Sequence, residues 1–255
     1  MQSARKLRQR IESRTLTTGV LAIDHIWIEL VEICALSGLD YLIVDMEHGA
    51  HDPSVIVDVC TVGRLIDFPV LIRPINHEIN TIRKVIDMGA CGMLLPTVNS
   101  TAQLDEVRDA IYLPPRGQRR PGGLGNRWVS GLAYNNWKTE VEDDLIILPQ
   151  IETKIGLANA DAIAAHEIVT AMAHGPYDLS ADLGVCGQIT GPEVTAATVQ
   201  VRDAAARAGK NMWVIGDGPS LAAQGYTFIC IGEPSAMLQN VMRQTVERTE
   251  EGIGD

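Results

Sequence analysis

Asp45, Glu47 and His48 can carry charge or move protons, and they follow directly on the apolar run Tyr41, Leu42, Ile43 and Val44, with Gly49 closing the group. An apolar run that stops at such a cluster has the form of a buried strand ending at a chemical site. A polar loop has the same composition. Similar endings recur along the chain: Arg73 closes PVLIR, Gln150 and Glu152 follow LIILP, and Asp178 lies in HGPYDLSADLG behind EIVTAMA. Glu152 and Asp178 are hard oxygen ligands, and two of these with water suit Mg2+ or Mn2+. No cluster of Cys or His favours zinc. Plainer readings stand beside these: Glu152 paired with a barrel cation, Asp178 capping a helix from Leu179, His48 a hydrogen-bonded rim residue, Arg73 an ion-pair partner. Convergence favours chemistry, because a charged group at the end of a buried strand is costly unless paired or used.

Eight short runs rich in Val, Ile and Leu recur at residues 17–23, 40–45, 69–73, 91–96, 145–150, 167–173, 211–216 and 226–232. Helix-like spacing separates them, as in Ile79, Ile82, Val85 and Ile86, with Gly89 as a stop. Buried parallel strands joined by crossover helices read this way, and eight of them predict a (β/α)8 TIM barrel, with a doubly wound open sheet as the alternative. In a barrel the carboxyl ends of the strands meet at one mouth, which gathers the polar residues named above. One long interruption, 112–144, opens with a stretch rich in Gly, Pro and Arg. Read as leaving the fourth strand on the mouth side, it is expected to form a lid or a subunit contact. Nothing marks a second domain, so residues 1–255 are taken as one.

The 255 residues are 46% hydrophobic, enough for a full core. Asp and Glu number 32 against 21 Lys and Arg, a net charge of −11 that repels nucleic acid and anionic membrane and leaves small molecules as the expected partners. No apolar run approaches the roughly 18 residues of a membrane span, and a cytoplasmic location is expected. Five cysteines without C-x-x-C spacing read as reduced core thiols.

Five stretches in order resemble the HpcH/HpaI aldolase family, metal-dependent pyruvate aldolases of the 4-hydroxy-2-oxoheptanedioate aldolase type: DYLIVDMEHG, LIRPINHEINTIRKVIDMGACGMLLPTVNS, YLPPRGQR, PQIET and GPYDLSADLG. The resemblance spans most of the chain. It implies Glu152 and Asp178 as metal ligands, for Mg2+ or Mn2+ with Co2+ a further candidate, and Gln150 as a substrate contact. It implies His48 as catalytic base, Arg73 as the group that stabilises the enolate, and Asp87 as the acid that orients the histidine. Tyr177 falls where the family uses backbone N–H to hold the pyruvate carboxylate. Asp87 ends a helix, which places it toward the other end of the barrel unless a neighbouring subunit brings it close. Asp45, three residues before His48, is the competing orienter. Tyr177 is expected to narrow the pocket, the RRPGG stretch to alter the aldehyde side, and His174 stands where an apolar residue is usual.

The implied reaction is reversible retro-aldol cleavage of a 4-hydroxy-2-oxo acid to pyruvate and an aldehyde, the metal acting as Lewis acid. Lys84 and Lys154 are poorly placed for a Schiff base, since neither ends an apolar strand. The rivals are a decarboxylase or an acyl-CoA C–C lyase using the same enolate chemistry, with RGQRR at 116–120 as the candidate CoA-binding surface, and a non-catalytic metabolite-binding barrel. Met237, Leu238, Val241 and Val246 form an apolar stripe near the C-terminus. A barrel helix packed on its own sheet explains it, while the resemblance implies a helix exchanged between subunits and a homo-hexamer built as a trimer of dimers.

Overall fold

The computed structural model describes residues 1–120, 128 and 134–252. Eight parallel strands close a barrel in sequence order: β1 (Thr17–Ala22), β2 (Tyr41–Asp45), β3 (Val70–Arg73), β4 (Gly92–Leu95), β5 (Ile146–Ile151), β6 (Ala171–His174), β7 (Asn211–Ile215) and β8 (Phe228–Cys230). The barrel shuts where Thr17 pairs with Phe228 and Gly19 with Cys230. The predicted fold is therefore the one formed, and all eight predicted runs carry a strand. The run at 167–173 contributes less than its length, because Val169 N–H bonds to the His166 carbonyl in a turn and the strand starts only at Ala171.

The interior is packed rather than open. Tyr41 lies fully buried, receives a 2.9 Å hydrogen bond from Trp213 Nε1 and stands edge-on to Phe228 at 5.2 Å. Gly19 makes the room for it: a Cβ there would lie 2.5 Å from the Tyr41 ring. Large and small residues on neighbouring strands thus fill one layer, as a barrel core requires.

The helices in chain order are α1 (Gln2–Glu12), α2 (Leu30–Leu36), α3 (Pro53–Leu65), α4 (Ile79–Asp87), α5 (Thr101–Ile111), α6 (Tyr134–Glu140), α7 (Lys154–Ala158), α8 (Ala160–Ala165), α9 (Pro176–Leu183), α10 (Pro192–Arg207), α11 (Gly218–Ala223) and α12 (Pro234–Glu251). Asp52 caps α3 by accepting from Ser54 N–H, with Pro53 at the first position. Gly89 follows α4 at φ +96°, the left-handed exit its place in the sequence predicts. Before β1, α1 buries Ala4, Leu7 and Ile11 against the amino end of the barrel, where Asn211 donates to the Ile11 carbonyl.

The segment from 112 to 144 corrects one expectation. It leaves α5, not β4, so its described parts lie at the amino end, opposite the mouth, and form no lid. There Arg8 donates to the carbonyls of Asp143 and Leu145, and Arg5 holds Asp144 at 2.9 Å. Within RGQRR, Arg116 pairs with Glu142 and Asp143, and buried Arg119 pairs with Asp87. Those two arginines are spent on the fold. Pro121, Gly122 and Gly123 of the RRPGG stretch lie outside the described residues.

Among the described residues no helix is long and apolar enough to cross a membrane. None of the five cysteines is paired; four are buried, and Cys186, contrary to the core expectation, is exposed.

Candidate active site

Adjacent parallel strands in register place Asp45, the last residue of β2, opposite Arg73, the last of β3. Arg73 donates from Nε to Asp45 Oδ1 at 2.8 Å and from Nη2 to Oδ2 at 2.6 Å, a two-pronged bond between buried groups. Asp45 Oδ1 also accepts from the Glu47 N–H. Its oxygens are thereby committed to Arg73 and to the turn, not to His48. Burial opposes the charged guanidinium, but the Asp45 bonds and the charges of Asp45, Glu47 and Glu152 outweigh it and keep its pKa above the ordinary arginine value. These bonds leave Nη1 for a ligand.

His48 sits on the turn after β2 with its side chain 54% exposed, and the carboxylate beside it is Glu47, whose Oε2 lies 3.8 Å from His48 Nε2. The same oxygen stands 3.3 Å from Arg73 Nε and has no hydrogen-bond partner among the described residues. Burial raises the Glu47 pKa against the pull of Arg73 and His48. Asp87, the expected orienter, ends α4 and so lies toward the amino end, where its Oδ1 accepts from Arg119 at 2.8 Å. One chain does not bring Asp87 to His48.

On the far side of the mouth, Glu152 follows β5 and is almost wholly buried. Its Oε2 accepts from Thr97 N–H at 2.6 Å and from Thr97 Oγ1 at 3.0 Å. Its Oε1 has no partner among the described residues. Thr97 holds this grip at φ +48°, a left-handed conformation costly for a β-branched residue and found mostly where surrounding structure enforces it. Gly175 is equally specific, since a Cβ there would fall 2.1 Å from Glu152 Oε1. Gln150, on β5, is buried with its Oε1 unpartnered among the described residues.

Asp178 does not cap a helix from Leu179. The helix α9 begins earlier, at Pro176, and Asp178 stands in its first turn, exposed, with its charge acting on both Glu47 and Glu152. The first intrahelical bond runs from Leu179 N–H to Gly175, so the amides of Tyr177 and Asp178 are left free to hold an anion. The Tyr177 side chain is 66% exposed, on the rim rather than in the pocket.

Among the described residues, the mouth therefore gathers Asp45, Glu47, Glu152 and Asp178 near a single arginine, Arg73. Their electrostatics show the imbalance: burial, with Glu47 and Asp178 nearby, pushes the Glu152 pKa up to about 7 despite its bonds to Thr97. A site where Glu47 and Glu152 resist ionisation, with one Glu152 oxygen fixed and the other unpartnered among the described residues, is short of a cation. Among the described residues no three His, Cys, Asp or Glu side chains form a metal cage. Two carboxylates completed by water and substrate fit Mg2+ or Mn2+ better than zinc.

Sequence reasoning gave no role to Glu47, Thr97 or Gly175. Glu47 was legible as part of the strand-end cluster. The Thr97 backbone bond to Glu152 leaves no mark in the order of residues.

Comparisons with known proteins place the chain among aldolases. A hydroxypyruvate/pyruvate aldolase of Chromohalobacter salexigens is 31% identical over 85% of this chain and 87% of its own. A 2-keto-3-deoxy-L-rhamnonate aldolase of Shigella boydii is 31% identical over 88% of this chain and 85% of its own. Among solved structures, an HpcH/HpaI aldolase of Desulfitobacterium hafniense superposes with a TM-score of 0.87, at 28% identity and 96% coverage of each chain. The family model for the HpcH/HpaI aldolase/citrate lyase domain matches residues 27–233, and the chain belongs to that family.

Proposed function

We propose that the chain is a divalent-metal-dependent class II aldolase that cleaves a 4-hydroxy-2-oxo acid reversibly to pyruvate and an aldehyde. The observation that carries this reading is the half-satisfied Glu152, its Oε2 locked by Thr97 and its Oε1 unpartnered among the described residues, in a mouth whose carboxylates outnumber the described cations. Glu152 and Asp178 would hold Mg2+, Mn2+ or Co2+. When bound there, the ion supplies a Lewis acid for the 2-oxo group and the enolate charge that develops on it.

The chain's own residues do the rest. The free amides of Tyr177 and Asp178 bind the substrate carboxylate, and the Gln150 side chain fixes its orientation. His48 takes the proton of the C4 hydroxyl, the C3–C4 bond breaks, and its electron pair passes into the enolate while the aldehyde leaves. Glu47 stabilises the imidazolium so formed. Arg73, braced by Asp45, adds a fixed positive charge at the enolate oxygen. A proton from solvent water at C3 then gives pyruvate, and the His48 imidazolium returns its proton to solvent. The acyl-CoA alternative loses support, since Arg116 and Arg119 are ion-paired within the fold.

The same reading extends to assembly. The helix α12 buries none of its residues, and Leu238, Val241, Met242 and Val246 are each more than half exposed. Beside its start lies a cavity of about 480 Å3 walled by Trp27, Leu30, Ile33 and Leu238. We take this face to be covered by a second copy, in a hexamer of exchanged dimers, and Asp87 to reach His48 only from a neighbouring subunit. Cytoplasmic location is part of the same proposal, supported by the free state of the five cysteines, which suits a reducing compartment.

The deciding experiment is metal removal: EDTA abolishes cleavage and Mg2+ or Mn2+ restores it. Full activity in excess chelator, or borohydride trapping of pyruvate on a lysine, overturns the proposal.

A further inference from the structure

We infer that the groove between α10 and α11, on the outer face of β6 and β7, is a second ligand site, for a small uncharged ring compound bearing one hydroxyl. A barrel strand is ordinarily roofed by the helices that follow it. Here α11 is six residues long and buries none of them, so the roof over β7 is incomplete. The resulting cavity measures about 500 Å3, within the range of pockets that enclose small ligands.

His174 forms part of its wall. Gly175 faces Glu152, so the alternation of the strand turns His174 away from the mouth, toward the outer layer. The residue is 5% exposed, and its Nδ1 has no hydrogen-bond partner among the described residues. Burial alone accounts for the fall of its pKa to about 4, with no charge or hydrogen bond contributing, so the ring is neutral at neutral pH. A buried polar ring left without a partner is costly, and a ligand hydroxyl offsets that cost.

The remaining wall sets the class of ligand. Ile189, Val199, Val214 and Leu221 supply apolar surface for a ring, while Thr190, Thr195 and Ser220 bring hydroxyls to the rim. Charge selects nothing, because Arg202 and Asp217 are one of each sign. Both are engaged locally, Arg202 beside Asp203 at 3.5 Å and Asp217 accepting from Ser220 N–H. An anion or a cation finds no uncompensated partner here.

Phenol is the probe, with benzene as the control that lacks the hydroxyl. Titrating phenol into the full chain labelled with 15N-histidine shifts the His174 imidazole resonances saturably, these being identified by their loss in His174→Phe. Benzene binds about threefold to tenfold more weakly, the worth of one net hydrogen bond. Val199→Trp, a change at a 36% exposed position, fills the groove and abolishes the shift without altering thermal unfolding. The inference is overturned if phenol gives no saturable shift, which leaves at most water in the cavity, or if Val199→Trp binds phenol as the parent does. Equal affinity for benzene and phenol overturns the assigned ligand class. Should His174→Phe fail to fold, Val199→Trp decides alone.

Discussion

At the scale of single residues, the Asp45–Arg73 pair separates the two halves of the proposed chemistry. In the proposed mechanism Arg73 acts on the enolate whether or not an aldehyde is present, so Arg73→Ala should slow metal-dependent hydrogen–deuterium exchange of the pyruvate methyl group by about 100-fold to 1000-fold. Arg73→Lys should recover only part, since an ammonium cannot match the two-pronged bond to Asp45. Exchange at the parent rate in Arg73→Ala would return Arg73 to a structural ion pair. In contrast, His48→Ala should lose cleavage while retaining pyruvate binding, measured by calorimetry in the presence of Mn2+. Thr97→Val keeps the shape of its neighbourhood and removes the Oγ1 donor to Glu152. Metal affinity should fall by about 10-fold to 100-fold, as for other outer partners of a ligand; unchanged affinity would mean that the backbone N–H alone fixes Glu152. The identities of His48, Arg73, Glu152 and Asp178 were legible because charge at the end of an apolar run is conspicuous. Their partners were less so: Asp45 is read as an orienter of His48 from proximity in sequence, whereas the register of two strands gives it to Arg73.

At the scale of elements, β6 shows how one short strand serves two faces, with Gly175 turned to Glu152 and His174 turned outward. The buried imidazole makes this element sensitive to acid. In the unfolded chain His174 takes up a proton near its ordinary value of 6.5, whereas in the folded chain it resists until about 4. The stability contributed by its neutral form is therefore fully present above about 6.5 and is lost as pH falls toward about 4. His174→Leu should accordingly show a shallower loss of urea midpoint across that interval than the parent, and parallel curves would contradict the assignment. The strands themselves were readable because hydrophobic runs of this length and type have few other uses. Their limits were not: Ile168 and Val169 extend the apolar run before β6 but belong to a turn closed by the His166 carbonyl.

At the scale of the whole molecule, the barrel follows from eight apolar runs, but the placement of the long 112–144 segment depends on one helix in between. Counting α5 after β4 sends that segment to the amino end, where α1 and the acids of residues 142–144 receive it. Missing that step turns a structural belt into an expected lid. The exposed stripe of α12 makes the remaining whole-molecule prediction. If the proposed assembly holds, Leu238→Glu with Val241→Glu should give monomers by light scattering where the parent gives an oligomer, with the barrel's far-ultraviolet circular dichroism unchanged. A parent that is monomeric at every concentration would sink the assembly proposal. Neither the stripe nor its spacing says what covers it, since a helix packed on its own sheet shows the same pattern.

The site's construction from two kinds of backbone bears on laboratory evolution. Asp45, Arg73, Gln150 and Glu152 lie at or beside strand ends, while His48 projects from the turn after β2, and Tyr177 and Asp178 from the first turn of α9, all three exposed. The Arg73 and Glu152 part of the proposed site is thus anchored in the barrel wall, and the rim side chains given no role beside it are free to vary. Mutational libraries confined to Ile75, Ile155 and Tyr177, exposed residues that follow closely on β3, β5 and β6, should broaden or redirect the accepted aldehyde while leaving the nucleophile the same. Such a division makes the scaffold a fixed donor with an interchangeable acceptor, the arrangement sought in a catalyst for carbon–carbon bond synthesis.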